Sequence, residues 1–168
     1  MQFQHNDGGR KEAGYTGGPT GDCGVRALSI ATGMGYEPAR QLVIEWGKRI
    51  QRCTTQSGIS TNAMKRIMHS LGWTWTPTML VGKGCRVHLV AHELPPGALI
   101  CRLSKHYTTV IDGVVHDTYD PNDRQVVDQF GRLVAAGPRC VYGYWSQAGV
   151  QADAPTVQTR RTRPRAIR

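Results

Sequence analysis

The stretch His106-Tyr107-Thr108-Thr109-Val110-Ile111-Asp112-Gly113-Val114-Val115-His116-Asp117-Thr118-Tyr119-Asp120-Pro121 decides how the second half of this chain folds. Asp112-Gly113 stands between two β-prone runs, Tyr107–Ile111 and Val114–Tyr119. The tightest hairpin turns need positive φ at both central positions, which Gly adopts freely and Asp tolerates. The pair therefore predicts two antiparallel strands joined by a two-residue turn. Just upstream, Pro95-Pro96-Gly97 forces a turn, and Ala98–Leu103 reads as the strand that leads into the hairpin. Short alternation over Trp73–Thr78 adds a strand, Val87–Ala91 reads as a strand or part of a short helix, and Cys140–Trp145 reads as the last strand.

Farther upstream the apolar period lengthens from two to that of a helix. Cys23, Ala27, Ile30 and Ala31 fall at helical spacing after Asp22, which is placed to cap them, and Gly33 and Gly35 supply a stop. A second helix begins near Pro38, with Ala39, Leu42, Val43, Trp46 and Ile50 on one stripe. After a polar loop over 51–58, a third helix is capped by Ser60 or Thr61. It turns Ala63, Met64, Ile67, Met68 and Leu71 inward and ends at Gly72. Helices first and antiparallel strands afterwards make an α+β domain. Residues 1–15 read as an irregular segment, rich in glycine and polar residues, 16–146 as the folded domain and 147–168 as an unstructured tail.

The chain has 168 residues, enough for one domain with a real core and too few for two. No apolar run approaches the roughly 20 residues that span a bilayer. The N-terminus carries no basic patch followed by an apolar stretch, so no secretory signal is read and a cytoplasmic protein is expected. Cysteines 23, 53, 85, 101 and 140 are odd in number and contain no C-x-x-C pair, so neither a disulfide framework nor a zinc ribbon is expected and most should be free thiols. Cys101 and Cys140 read as small core residues. Trp73, Trp75 and Trp145 read as core or cleft wall, and His69 as solvated. His88 and His92 are four apart, a spacing that metal sites use on helices, but no third ligand stands near them; neither metal nor cofactor is expected.

The formal net charge of +9 is uneven. Residues 1–153 hold 16 basic and 12 acidic residues, while Arg160, Arg161, Arg163, Arg165 and Arg168 crowd the last nine positions without an acid. Such a tail is either a solvated end or a site of weak, sequence-independent contact with nucleic acid.

Cys23 opens a helix directly after a glycine-rich stretch. There the helix dipole and free backbone N–H groups favour the thiolate, the reactive form, and the same N–H groups face a developing oxyanion in acyl transfer. A nucleophilic Cys needs a base, and His106 is the best placed of the six histidines, at a strand start where its backbone is held while its ring faces a cleft. Pairing around Asp112-Gly113 sets His106 opposite Tyr119. Asp117 and Asp120 both lie on the partner arm, and Asp120 is taken as the residue that orients the ring.

Gly21-Asp22-Cys23-Gly24 ahead of an apolar helix, then Leu94-Pro95-Pro96-Gly97, His106-Tyr107-Thr108-Thr109-Val110 and Asp120-Pro121 in that order, resembles the papain-like cysteine peptidases, above all those that trim double-glycine leader peptides. The likeness runs over about residues 16–145. It implies a papain-like fold and a thiol hydrolase acting on a peptide or isopeptide bond of a protein or peptide substrate. The roles it implies are Cys23 as nucleophile, His106 as base and Asp120 as orienting carboxylate. Small tailed-phage proteins also look like this chain, which implies a viral protein working on a host target. The family usually places a Gln six residues before the nucleophile as an oxyanion donor. Gly17 stands there, so Thr20, Asn6 or Gln4 is left to supply the donor, with Asp22 and Asp117 as further site residues. The alternative reading is a papain-like domain without turnover, serving as a binding module that contacts nucleic acid through its tail.

Overall fold

The computed structural model describes residues 1–17, 21–50, 58–79, 82 and 84–147. In chain order the elements are β1 (Gln2–His5), α1 (Cys23–Thr32), α2 (Tyr36–Ile50), α3 (Thr61–Ser70), β2 (Trp73–Pro77), β3 (Ala98–Leu103), β4 (His106–Ile111), β5 (Val114–Asp117), β6 (Gln125–Val127), β7 (Leu133–Ala135) and β8 (Gly143–Gln147). Three helices precede most of a sheet whose order is β1-β5-β4-β3-β8-β2. Its pairings are antiparallel except for β1 with β5. The domain is α+β.

The central hairpin forms as its sequence requires. Ile111 pairs with Val114, and the two turn residues both take positive φ, 47° at Asp112 and 79° at Gly113, the combination that suits the right-handed twist of the flanking strands. Asp112 is held there by Oδ1, which accepts the Gly97 N–H at 2.7 Å. One strand earlier, Leu103 pairs with His106 around Ser104-Lys105, so a second two-residue turn delivers His106 at the start of β4. Lys105 has φ 55°, a left-handed conformation unusual for a side chain of its length.

Period-2 alternation sorts the strand residues onto two faces. On one face Ile100, Tyr107 and Trp145 pack with Trp73 against Val25, Leu28, Val43, Met64, Ile67 and Met68 of the helices. On the other, Leu99, Cys101, Leu103, Val110, Val115 and Tyr144 pack with Leu89, Leu94 and Val141. Each fully buried aliphatic side chain of this kind contributes about 1.5–3 kcal/mol. Thr109 Oγ1, inside the helix–sheet layer, donates to the Ala27 carbonyl at 3.0 Å, so its hydroxyl is buried with a partner. α1 ends at Gly33 in the left-handed region, and α3 starts at Ser60, whose Oγ accepts the Ala63 N–H at 3.2 Å.

Several expectations are corrected. The opening segment is not irregular throughout: Gln2–His5 pair with Val114–Asp117 as a parallel edge strand. All four residues are exposed, so ladder hydrogen bonds rather than an apolar period hold them, and a period-based reading passes over such a strand. Val87–Ala91 is mostly irregular: His88 makes one bridge to Cys140, and Ala91 alone enters a short 3-10 helix, Ala91–Glu93. The last strand starts at Gly143 and runs through Gln147. β6 and β7, unexpected from sequence, form a separate ribbon of two three-residue strands that exposes Val127, Phe130 and Leu133. Leu71 caps α3 at the surface instead of facing inward. Cys140 is not a free core thiol but is joined to Cys85 across 55 residues of sequence. Spacing rules detect local pairs; this bridge depends on residues 87–89 lying against 139–141, where Leu89 N donates to Arg139 O and Val141 N to Val87 O. Cys53 and the side chain of Ile50 lie outside the described residues.

Candidate active site

α1 begins at Cys23 with its first turn pressed against Ile59 and β4. Gly24 permits that approach: a Cβ there would lie 2.3 Å from Ile59 Cγ2 and 3.5 Å from Tyr107 Cδ2. Half-buried Cys23 lies within hydrogen-bonding reach of the His106 side chain and of the Tyr107 backbone N–H. His106 Nε2 is 2.7 Å from Asp117 Oδ2, which leaves Nδ1 for the thiol. Both His106 and Asp117 are buried.

Asp120 does not meet the ring. In the register Val110↔Val115 and Thr109↔His116, continued by three residues, His106 stands opposite Tyr119. Side chains two residues apart share a face of a strand, so Asp117 is His106's diagonal neighbour while Asp120 faces the other way. Asp120 instead shapes the Asp-Pro turn, its Oδ1 accepting the Asn122 N–H at 2.9 Å. Tyr119 covers the imidazole with ring centroids 5.2 Å apart.

The titration of the three groups follows from these contacts. Burial, the largest influence on Cys23, works against its thiolate. The hydrogen bonds from His106 and Tyr107, with the charges of His106 and Arg26, outweigh it and hold the thiol below its ordinary value. Burial likewise disfavours the imidazolium, yet hydrogen bonds and charge from Asp117 and Cys23 raise His106 to about 9. Asp117 is held below the usual carboxylate range: burial alone would raise it, and His106, the Thr108 side chain and the Thr118 N–H reverse that. The three contacts thus act in one direction, toward thiolate, imidazolium and carboxylate in a row.

A cleft of about 480 Å³ opens over Cys23 and His106. Arg10, Gly17, Gly21, Arg26, Lys105, Thr118 and Tyr119 also line it. Asp22 sits behind the cleft. It occupies the N-cap position of α1, but its side chain makes no capping bond, contrary to expectation. Its buried carboxylate pairs with the Arg26 guanidinium, with Arg10 Nε at 3.0 Å and with the Tyr36 hydroxyl at 2.8 Å. An ionised carboxylate only accepts, so Asp22 is not an oxyanion donor. Burial, and then the bond to Asp22, push Tyr36 up to about 12 and keep it a donor.

Of the other expected donors, Gln4 is exposed on β1, and Asn6 Oδ1 is engaged with the Gly8 N–H at 2.8 Å; neither lines the cleft. Thr20 and the tail residues Arg160, Arg161, Arg163 and Arg165 lie outside the described residues. Arg10 hydrogen-bonds the carbonyl of Gly17 at 2.9 Å, so a guanidinium stands beside the position where a Gln was looked for. Arg10 and Arg26 were missed by sequence reasoning, and Tyr119, set opposite His106 by the hairpin pairing, was given no role. Arg26 also carried a signal, three residues after Cys23 and hence on its helix face. His88 Nδ1 meets Glu93 Oε2 at 3.2 Å, and among the described residues no three His, Cys, Asp or Glu side chains gather as a metal site. Also among them, no helix is long and apolar enough to cross a membrane. No protein-family model matches the chain, and neither a curated protein nor a solved structure matches it.

Proposed function

We propose that this protein is a cysteine-dependent hydrolase of papain-like type, cleaving a peptide or isopeptide bond in a protein or peptide substrate. One observation carries the reading: His106 Nε2 bonds Asp117 at 2.7 Å, and His106 interacts on its other side with Cys23, the two lining an open cleft. Asp117 takes the orienting role expected of Asp120.

In this mechanism the Cys23 thiolate attacks the carbonyl carbon. The developing oxyanion faces the backbone N–H groups that open α1. As the tetrahedral species collapses, the C–N bond breaks and the His106 imidazolium gives its proton to the departing amine. The neutral imidazole then takes a proton from water, whose oxygen attacks the thioester carbonyl. The C–S bond breaks, the acid leaves, and the thiolate–imidazolium pair returns. Asp117 holds the ring tautomer throughout and remains ionised. An amine that outcompetes water would turn the same intermediate to transamidation.

The test is digestion of a degenerate peptide mixture and a panel of ε-linked isopeptides, in water enriched in ¹⁸O, with the wild type and Cys23→Ala. Cleavage with one heavy oxygen in each new carboxylate, absent from the variant, is expected. No cleavage and no acyl adduct on Cys23 would contradict the reading.

A further inference from the structure

Behind the row of Cys23, His106 and Asp117 runs a second row of charges that the proposed reaction does not use. Arg26 lies on α1 three residues after Cys23, its side chain 11% exposed. One end of its guanidinium pairs with Asp22 at the helix start. The other end, NH2, lies 3.8 Å from Asp117 Oδ1 on β5, the oxygen that does not meet His106 and that also accepts the Thr118 N–H at 2.7 Å. Read in order, Asp22, Arg26, Asp117, His106 and Cys23 alternate in sign. Asp22 is fastened in turn by Arg10 and Tyr36.

We propose that Arg26 is a positioning residue that locks the helix carrying the nucleophile to the strand pair carrying the base, by bridging the buried carboxylates of Asp22 and Asp117. The inference rests on the hydrolase reading and deepens it. α1 and the β4–β5 hairpin are separated by more than 70 residues of chain, and their relative placement sets whether thiol and ring meet. The Thr109 Oγ1 bond to the Ala27 carbonyl ties α1 to β4, and the Arg26 guanidinium, bonded to Asp22 and within ion-pair distance of Asp117, ties α1 to β5 between two buried carboxylates shielded from water.

The groups that face Arg26 are Asp22 and Cys23 on its own helix, Arg10 from the loop after β1, His106 on β4, Asp117 on β5 and Tyr119 beyond it. Removing the cation takes a favourable charge from the thiolate, so formation of the thiolate moves to higher pH. It also removes a competitor for Asp117, so loss of the imidazolium moves to higher pH as well. Both limbs shift the same way, which loosened packing alone would not produce.

The experiment is iodoacetamide alkylation of Cys23 in the full chain between pH 5 and 10, followed by peptide mass, for the wild type, Arg26→Gln and Arg26→Lys, with thermal unfolding of each beside it. Arg26→Gln is expected to alkylate about tenfold more slowly near pH 6, one unit of thiol titration, with both limbs displaced upward. Arg26→Lys keeps the charge without the fork and should recover part of that loss. If the Gln variant does not fold, the Lys variant still reads the fork, and a Lys profile superimposable on the wild type would overturn the proposal. So would a folded Gln variant with an unchanged profile. A wild type that shows no low-pH thiolate at all would instead sink the hydrolase reading, so the two failures are distinct.

Discussion

His106 and Asp117 stand one diagonal step apart across the β4–β5 hairpin, Nε2 to Oδ2 at 2.7 Å, and this contact orients the imidazole toward Cys23. Because the diagonal follows from strand period, it separates the two aspartates of the partner arm without ambiguity. Asp117→Asn should lower the rate of any Cys23-dependent turnover by on the order of 10²–10⁴, since the amide fails to fix the working tautomer. Asp120→Asn should leave turnover within about threefold while weakening the Asp-Pro turn by about 1 kcal/mol. Parallel kinetics and urea unfolding of the two variants check this.

The pair also makes stability depend on pH, with signs set by the direction of each shift. His106 is raised in the folded chain to about 9, so its contribution is complete below its ordinary value near 6.5 and is lost as pH rises through about 9. Asp117 is lowered, so its contribution is present above its ordinary value and is lost as pH falls through the folded value. The stability difference between the wild type and Asp117→Asn should therefore be widest from above the ordinary aspartate value up to about pH 6.5, already decline at neutral pH and be largely lost by pH 10. Urea midpoints at pH 5, 7 and 10 measure it.

Gly24 is the residue on which the approach of α1 to Ile59 depends. With a Cβ at 2.3 Å from Ile59 Cγ2, Gly24→Ala should destabilise by about 1–3 kcal/mol, the range for overpacking. Ile59→Ala in the same chain removes the clashing methyl, so the double variant should lose less than the sum of the two single changes. A double-mutant cycle in denaturant provides the number.

The Cys85–Cys140 disulfide ties the segment before residues 87–89 to the segment that precedes β8. For a loop of 55 residues the chain-entropy relation gives roughly 4 kcal/mol of stabilisation. Cys85→Ser, or reduction of the wild type, should lower unfolding stability by about 2–4 kcal/mol. Cys23 alkylation should stay unchanged, because neither sulfur borders the cleft. Comparing melts with and without reductant tests both halves.

Features written in local chemistry were legible before the structure. Asp112-Gly113 announces the hairpin and, through it, the alignment of His106 with Tyr119; Cys23 after a glycine-rich stretch marks a helix start. The choice between Asp117 and Asp120 was also within reach, because period two puts Asp117 on the His106 face, whereas nearness to Tyr119 along the ladder favours Asp120 and ignores the face. What was not legible depends on contacts that only folding creates. Arg10 meets Asp22 through a glycine-rich loop, and Arg26 meets Asp117 across the helix–sheet layer. Cys85 finds Cys140 because two irregular segments lie side by side. β1, β6 and β7 bury no side chain, so they leave no periodic mark.

The most direct measurement is the pH dependence of Cys23 alkylation by iodoacetamide in the wild type and in His106→Ala. Cys23 is held below its ordinary value and His106 is raised to about 9, so the wild type should react well below pH 8, with a low-pH limb that disappears in the variant. Titration of Cys23 near the free-thiol value of about 8.5 in both proteins would show that no thiolate–imidazolium pair exists and would contradict the account.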